Sequence, residues 1–184
     1  MKTKISVVLL IFLVLFSFVC IEKKIFYENL YHRKYSEYVS KYSKEFNIDE
    51  NLVYSVIKAE SKFIEDAVSH KGAKGLMQIS DITRDWAIEE LNLGEIDIFN
   101  PETNIKIGCW YLNKLFKEFG DLNLVIAAYN GGSGNVRKWL GDKAYSEDGK
   151  SLDIIPFEET SNYLKKVTKN YENYNEIYKR EEKD

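Results

Sequence analysis

Apolar residues recur every three or four positions along most of this chain of 184 residues, which is the spacing of an amphipathic helix. The breaks between these runs fall at residues that cap or end helices, such as Asp49, Asn100 followed by Pro101, and Gly120. The pattern predicts helices over 22–46 and about 50–62, and another that begins at 80–83. Further helices are predicted from the start at Asn100-Pro101 to 119, over 122–129 and over about 158–178. We therefore predict a single, mainly α domain.

Two glycine-containing segments interrupt this helical pattern. Residues 69–79 contain Gly72 and Gly75, which predict a loop or a short hairpin, so the fold class is mainly α with at most a small β-hairpin. Residues 130–134 contain three glycines and predict a turn.

Chain length and composition exclude several function classes. The length suits one domain with a real core better than two domains. A net charge of -3 gives no electrostatic support to non-specific nucleic-acid binding. The two cysteines, Cys20 and Cys109, lie in different contexts, so no disulfide is expected between them. Because His32 and His70 share no spacing with these cysteines, we predict no metal site.

The N-terminus carries a targeting signal. Residues 5–21 are apolar except for Ser6 and Ser17, and Lys2 and Lys4 precede them. This run is at the short end of the ~17–25 residues that span a bilayer. Residues 1–22 are therefore predicted to be a membrane anchor or a signal peptide. Bulky residues around Cys20 favour an uncleaved anchor, and a cleaved signal or a lipidated Cys20 are the alternatives. Residues 23–46 are predicted to be a connecting amphipathic helix, 47–178 the main domain and 179–184 a charged tail.

Glu60 is the main candidate for chemistry. It lies in the last turn of the predicted helix 50–62, at the edge of an apolar stripe that includes Val56 and Ile57. Apolar surroundings raise the pKa of a carboxyl group, and a protonated acid is what the cleavage of a glycosidic bond needs. A glutamate in the last turn of a helix is usually solvated, so this interpretation depends on the neighbouring motifs.

Those motifs supply groups suited to a sugar. Gln78 offers an amide to hydroxyl or N-acetyl groups, and Met77 offers an adaptable apolar contact. The Tyr129 hydroxyl and the Asn130 amide are expected beside Glu60. The alternatives are that Met77 is an ordinary core residue, that Gln78 is a surface residue and that Tyr129 and Asn130 merely precede a helix end.

Five blocks in the same order resemble the lytic transglycosylase catalytic domain of the soluble-lytic-transglycosylase type. They extend over roughly residues 38–174 and comprise Glu60-Ser61-x-Phe63; Ala67-x-Ser69-x-x-Gly72-Ala73-x-Gly75-Leu76-Met77-Gln78-Ile79; Asn100-Pro101 with Asn104-Ile105 and Gly108; Ala128-Tyr129-Asn130-Gly131-Gly132; and Pro156-Phe157-x-Glu159-Thr160-x-x-Tyr163. The resemblance implies a lysozyme-like α+β fold. It also implies cleavage of the MurNAc–GlcNAc β-1,4 bond of peptidoglycan, which leaves 1,6-anhydro-MurNAc ends.

The same resemblance implies roles for individual residues. Glu60 would be the catalytic acid and base, without a metal or other cofactor. The residues expected to line or support the substrate groove are Ser69, Met77, Gln78, Tyr129, Asn130, Glu159 and Tyr163. The implied partners are peptidoglycan glycan strands and, through the N-terminal segment, the membrane. The implied location is the cell envelope, with the catalytic domain outside the cytoplasm or secreted if the signal is cleaved.

This chain departs from the family pattern at three positions. Glu65 and Asp81 stand where the family usually has proline, and Ser161 stands at an arginine-like position. Two other functions stay open: a goose-type lysozyme-like hydrolase, which needs a second acid or a held water, and a wall-binding module without turnover. The predicted helix between Ile25 and Phe46 is rich in tyrosine. It is expected to pack on the domain, with docking to a secretion or division complex as the alternative.

Overall fold

The computed structural model describes residues 13–178, with gaps at 14, 20, 23–24 and 28. The described residues between 13 and 30 are helical. The helices that follow are α1 (Ser36–Phe46), α2 (Glu50–Glu60), α3 (Asp81–Leu91), α4 (Pro101–Phe119), α5 (Leu122–Gly131), α6 (Ser133–Leu140) and α7 (Glu158–Tyr178). The predicted, mainly helical fold is confirmed.

Helix α2 is the centre of the core. It packs most extensively against α7, while α1 packs on α4, and α5 packs on both α4 and α7. The α2 side chains of Val53 and Ile57 are fully buried, as is Tyr174 on α7. Burying a large apolar side chain contributes roughly 1.5–3 kcal/mol, so these contacts hold α2 firmly. The position of Glu60, at the end of α2, is fixed by this packing.

Side-chain caps explain where the helices start. Asp49, Ser80 and Asn100 each accept a hydrogen bond from a backbone N–H in the first turn of α2, α3 and α4. Asp121 does the same for two N–H groups of α5. These bonds satisfy donors that have no partner inside the helix. The starts predicted from these residues are confirmed because capping is a local interaction.

The segment after α2 forms an irregular loop rather than a regular hairpin. Its β structure consists of isolated bridges that pair Lys74 with Val68 and with Ile79. Buried Asn104 holds the loop from α4: its amide donates to the Lys74 carbonyl at 3.0 Å and accepts from the Met77 N–H at 2.8 Å. A Cβ at Gly75 would lie 2.2 Å from the Asn104 amide nitrogen, so this close approach requires glycine.

The prediction of one continuous connecting helix over 23–46 was wrong, because residues 31–35 are not helical and Tyr35 has a φ of 60°. Contacts with α7 draw this segment out of the helix. The Tyr174 hydroxyl donates to the His32 carbonyl at 3.2 Å, and the Tyr178 hydroxyl donates to the Tyr31 carbonyl at 2.9 Å. Tertiary hydrogen bonds here override the helical period.

The predicted turn over 130–134 is shorter than expected. Residues 130 and 131 end α5, Gly132 alone breaks the helix with a φ of 85°, and α6 begins at the next residue. Helix α6 was not predicted. It forms because Val136 and Trp139 bury their side chains against the core, which supplies the stability that a glycine-rich sequence lacks.

The N-terminal predictions fall largely outside the described residues, as do Cys20 and the charged tail. Within the described part of the chain, no helix is both long and apolar enough to cross a bilayer. Cys109 is a buried free thiol.

Candidate active site

A cavity of about 510 Å³ opens where α2 ends. Its walls come from the loop of residues 69–80, from α4, from the end of α5 and from the first turn of α7. The predicted site residues that line it are Glu60, Ser69, Gln78, Tyr129, Asn130 and Glu159. With Glu60 at the end of α2 and Thr83 on α3, six segments of the chain therefore meet at one groove.

The Glu60 carboxyl lies partly buried in this groove. Burial raises its pKa from the ordinary 4.5 to about 7, because a charged carboxylate is poorly solvated there. The nearby Tyr163 hydroxyl and the positive charge of Lys166 act in the opposite direction, and the negative charge of Glu159 adds to the rise. Near neutral pH a large fraction of the molecules therefore carries a proton on Glu60.

Two tyrosine hydroxyls surround Glu60 from the protein side. Burial raises the pKa of Tyr129 and of Tyr163 well above 10, so both keep their protons. The Tyr129 hydroxyl donates to the Met77 carbonyl at 2.9 Å. The Tyr163 ring is buried, and its hydroxyl faces the Glu60 carboxyl without completing a well-formed hydrogen bond. Tyr163 thus supports Glu60 from behind and does not line the groove.

Met77 is a core residue. Its side chain is fully buried, and it packs so closely on α4 that a Cβ at Gly108 would lie 2.1 Å from the Met77 sulfur. The alternative interpretation of Met77 as core is therefore the correct one for its side chain. Through its carbonyl and its N–H, which bond Tyr129 and Asn104, it supports the groove floor.

Gln78 and Ser69 both line the groove and brace the loop that carries them. The Gln78 amide donates to the carbonyls of Ala67 at 3.0 Å and Gly75 at 2.9 Å. The Ser69 hydroxyl accepts from the Ala73 N–H at 3.0 Å. Because these bonds are local, the groove wall is formed in the absence of a ligand.

A second carboxylate, Glu159, has the opposite electrostatic setting. It forms an exposed ion pair with Lys71 at 2.7 Å, and the hydrogen bond within this pair lowers the pKa of Glu159. The next residue, Thr160, donates to the Asn130 amide oxygen at 2.8 Å and so ties α7 to α5. Two carboxyl groups in one groove with pKa values pushed apart are suited to different chemical roles.

The groove residues that the sequence interpretation did not name as site residues include His70, Lys71, Thr83 and Tyr111. His70 and Lys71 directly follow Ser69, so their place in the loop was a usable signal. Tyr111 belongs to the apolar stripe of α4 and packs on Tyr129 with ring centroids 5.4 Å apart. Nothing in its spacing distinguished it from a core residue.

In the part of the chain that the structure describes, no group of three or more His, Cys, Asp and Glu side chains is arranged to hold a metal ion.

A mainly helical domain that holds a glutamic acid of raised pKa in an open, polar groove has the features expected of a lysozyme-like domain. Within that class, the family model described as "Transglycosylase SLT domain" matches residues 37–152, and the chain belongs to this family.

Relatives of established name agree with this membership. The chain is 34% identical to the soluble lytic murein transglycosylase of Salmonella typhimurium over 72% of its own length and 22% of the relative. It is 31% identical to the membrane-bound lytic murein transglycosylase C of Edwardsiella ictaluri over 78% of its length and 47% of that protein. The chain thus spans less than half the length of these relatives.

Solved structures share the fold. The 70-kDa soluble lytic transglycosylase of Escherichia coli superposes with a TM-score of 0.71 at 28% identity, covering 82% of this chain and 25% of that one. An inactive variant of the Pseudomonas aeruginosa lytic transglycosylase Slt, in which a glutamate is replaced by glutamine, superposes with a TM-score of 0.70 at 27% identity, covering 79% of this chain and 24% of that one.

Proposed function

We propose that this protein is a lytic transglycosylase that cleaves the β-1,4 bond between MurNAc and GlcNAc in peptidoglycan and leaves 1,6-anhydro-MurNAc ends. The observation that carries the proposal is Glu60, whose pKa is raised to about 7 within the groove. Family membership and the names of the relatives support the substrate class. The catalytic unit includes α1, because α1 packs on α4 and the family match begins at residue 37.

The reaction uses Glu60 twice. Its protonated carboxyl first gives a proton to the glycosidic oxygen as the bond to the anomeric carbon breaks. The resulting carboxylate then removes the proton from the C6 hydroxyl of the same MurNAc, whose oxygen bonds to the anomeric carbon. Glu60 ends the cycle protonated, and no water is consumed. Because the nucleophile belongs to the reacting sugar, proximity supplies part of the rate.

The other groove residues position the glycan. Neutral Tyr163 directs its hydroxyl at Glu60 and stabilises the carboxylate formed after the first step. Ser69, Gln78 and Asn130 present polar groups that suit sugar hydroxyls and the N-acetyl group. Tyr129 holds the loop floor through Met77. Glu159 keeps Lys71 at the rim of the groove.

Glu159 also favours a second candidate function, a goose-type hydrolase, because it places another carboxylate in the same groove. A hydrolase needs that group free to activate water at ~6.5–9.5 Å or to attack at ~5–5.5 Å from the first acid. The ion pair with Lys71 occupies Glu159, which favours the transglycosylase. Mass spectrometry of the products decides, since anhydro ends are lighter by one water than hydrolysed ends.

Paired glutamine variants test the assignment of Glu60. We expect Glu60→Gln to lower kcat on purified sacculi by about 10²–10⁴-fold, because it keeps the shape and removes the transferable proton. Glu159→Gln, the matched control in the same groove, should stay within about tenfold of the parent. Retention of cleavage by Glu60→Gln defeats the proposal. If the parent releases products that have gained water, and both variants lose activity equally, the protein is the hydrolase instead.

We propose further that the protein resides in the cell envelope with its catalytic domain outside the cytoplasm. The apolar residues 5–21 and the membrane-bound relatives support attachment through the N-terminus. Protease added to intact spheroplasts should then degrade the catalytic domain. Survival of the domain until the cells are lysed would contradict this location.

A further inference from the structure

Lysines gather where the N-terminal helical segment meets the domain. The Lys58 ammonium on α2 donates to the Leu30 carbonyl at 2.5 Å and lies 4.5 Å from the centre of the Tyr31 ring. The Lys166 ammonium on α7 donates to the Ala59 carbonyl at 2.5 Å. One turn of α2 is therefore bordered by cations from two helices.

Two further lysines surround this pair. Lys34 lies in the non-helical stretch after Leu30, and Lys62 follows α2 by two residues; both side chains are exposed. Burial, and then the charges of Lys166 and Lys62, lower the pKa of Lys58. Burial, and then the charges of Lys34 and Lys58, lower the pKa of His32. The lysine face is defined by these four residues: Lys34, Lys58, Lys62 and Lys166.

The lysine face includes one cation, Lys166, whose charge acts on the Glu60 carboxyl. Within the described residues, none of its four lysines forms an ion pair with a carboxylate, whereas Lys41, Lys71 and Lys74 elsewhere in the domain each do. The whole chain has a net charge of -3, so this concentration of cations is a local feature. Such a surface attracts a polyanion or an anionic layer.

The segment that leads into the lysine face exposes many apolar side chains, together with Ser17 and Glu22. Every described residue from 13 to 27 is exposed, including Phe16 at 61% and Phe26 at 64%. In the sequence, Lys23 and Lys24 follow the apolar run of residues 5–21, and Tyr27 and Tyr31 come next. An apolar run followed by lysines interspersed with aromatic rings matches the passage of a chain from the hydrocarbon of a bilayer into its interface and headgroups.

We propose that the lysine face rests on the anionic phospholipid headgroups of the membrane that receives the N-terminal segment. Contacts with the domain hold this segment in register: the Tyr31 ring meets Tyr174 edge-on at 5.2 Å, and the Arg33 guanidinium stacks on Tyr178 at 3.9 Å. The domain is thereby oriented on the bilayer as well as tethered to it.

This orientation has a consequence for the groove. Glu60 ends α2 between Ala59, which Lys166 contacts, and Lys62. The lysine face and the groove therefore adjoin the same helix end, so headgroup contact holds the groove close to the bilayer. Glycan strands near the membrane surface become the accessible substrate.

Vesicle partitioning of the full chain tests the proposal. Protein dialysed from detergent is floated with vesicles of phosphatidylcholine alone or with about a third phosphatidylglycerol. We expect stronger partitioning into the anionic vesicles, reduced by salt. Lys34→Gln with Lys62→Gln should lower that partitioning about 25-fold, at roughly fivefold per lysine near the surface. The matched control, Lys138→Gln with Lys143→Gln, removes the same charge from exposed positions outside this face and should leave it unchanged.

Three results overturn the proposal. If the parent partitions equally into both vesicle types, the lysine face makes no contact with anionic headgroups. If the control variant loses as much partitioning as the Lys34 and Lys62 variant, the effect comes from net charge and not from this face. Tight binding to soluble polyphosphate with no preference for anionic vesicles assigns the face to a polymer instead. Near-unchanged circular dichroism of the variants excludes unfolding as the cause, and because flotation needs no turnover, the outcome is independent of the proposed enzymatic activity.

Discussion

At the scale of single residues, the pKa of Glu60 links its proposed catalytic role to stability. The same burial that keeps a proton on Glu60 makes its ionised form costly in the folded protein. Its folded pKa of about 7 lies above the ordinary 4.5 of an unfolded chain. The proton therefore favours folding: this contribution is complete below about pH 4.5 and is lost as the pH rises through 7.

Glu60→Gln should consequently become more stable than the parent as the pH is raised. We expect the difference in the free energy of unfolding to grow by on the order of 3 kcal/mol between pH 4 and pH 8, at ~1.36 kcal/mol for each pKa unit. Urea unfolding of both proteins at the two pH values measures it. The Glu159→Gln variant serves as the control, because the pKa of Glu159 is lowered and the trend should not share this sign. A constant difference for Glu60→Gln would contradict the raised pKa.

The Tyr163 hydroxyl should affect the pH profile without being the proton donor. The Tyr163 hydroxyl, which faces the Glu60 carboxyl, lowers the pKa of Glu60, so Tyr163→Phe should move the alkaline limb of kcat to higher pH. The parent should lose kcat about tenfold per pH unit well above 7, since only protonated Glu60 acts. Rates on a soluble glycan fragment across the pH range provide the measurement. A fall in kcat with an unmoved limb would indicate a purely structural role for Tyr163.

At the scale of elements, Asn104 connects α4 to the loop that forms one groove wall. Its side chain is fully buried and bonds Lys74 and Met77 of that loop and Ile98 of the segment that precedes α4. Removing a partner from a buried polar group costs roughly 1–3 kcal/mol. The position of Ser69 and Gln78 therefore depends on a residue that never meets the substrate.

We expect Asn104→Ala to lower the free energy of unfolding by about 3–5 kcal/mol and to reduce kcat as the loop loosens. Thermal unfolding and sacculus digestion measure the two effects. Asn113→Ala on the same helix is the control, because Asn113 makes a single bond to the Phe46 carbonyl, away from the loop. It should cost about 1 kcal/mol and spare kcat. Similar losses in both variants would show that Asn104 has no special link to the groove.

At the scale of the whole molecule, Arg33 joins the segment that precedes α1 to the first turns of α2 and to the end of α7. Its guanidinium stacks on Tyr178 at 3.9 Å and lies 5.4 Å from the centre of the Tyr54 ring, and it donates to the Asn51 amide oxygen at 2.5 Å. A flat guanidinium supplies stacking and hydrogen bonding together, which an ammonium group does not. The segment ahead of the family match is thereby part of the folded unit.

Arg33→Lys should lower the free energy of unfolding by about 1–2 kcal/mol, or the melting temperature by about 2–8 °C for a chain of this size. Arg84→Lys is the control, because Arg84 pairs with exposed carboxylates on the surface of α3, where such pairs contribute little. Scanning calorimetry compares the variants. An equal change in both would show that the stacking contributes nothing.

Local interactions made much of this fold predictable. Asp49, Asn100 and Gly120 mark helix ends through bonds to their immediate neighbours, so the bounds of α2 and α4 follow closely from the sequence. Glu60 was predicted to be the acid from the motifs around it, and the apolar stripe of α2 beside it agreed with that prediction. Interactions between distant segments were not readable, which is why residues 31–35 were expected to be helical and Tyr111 was not expected at the groove.

By itself, the sequence determined most of the helices, several of their ends and the family, and it predicted the acid, because capping, periodicity and motif order act over short separations. Only the tertiary structure decided that Met77 supports the groove through its backbone groups and not through its side chain. It also decided which cations border α2 and how far burial raises the pKa of Glu60. Those properties depend on how many atoms from distant segments surround a group, and chain order alone does not specify that environment.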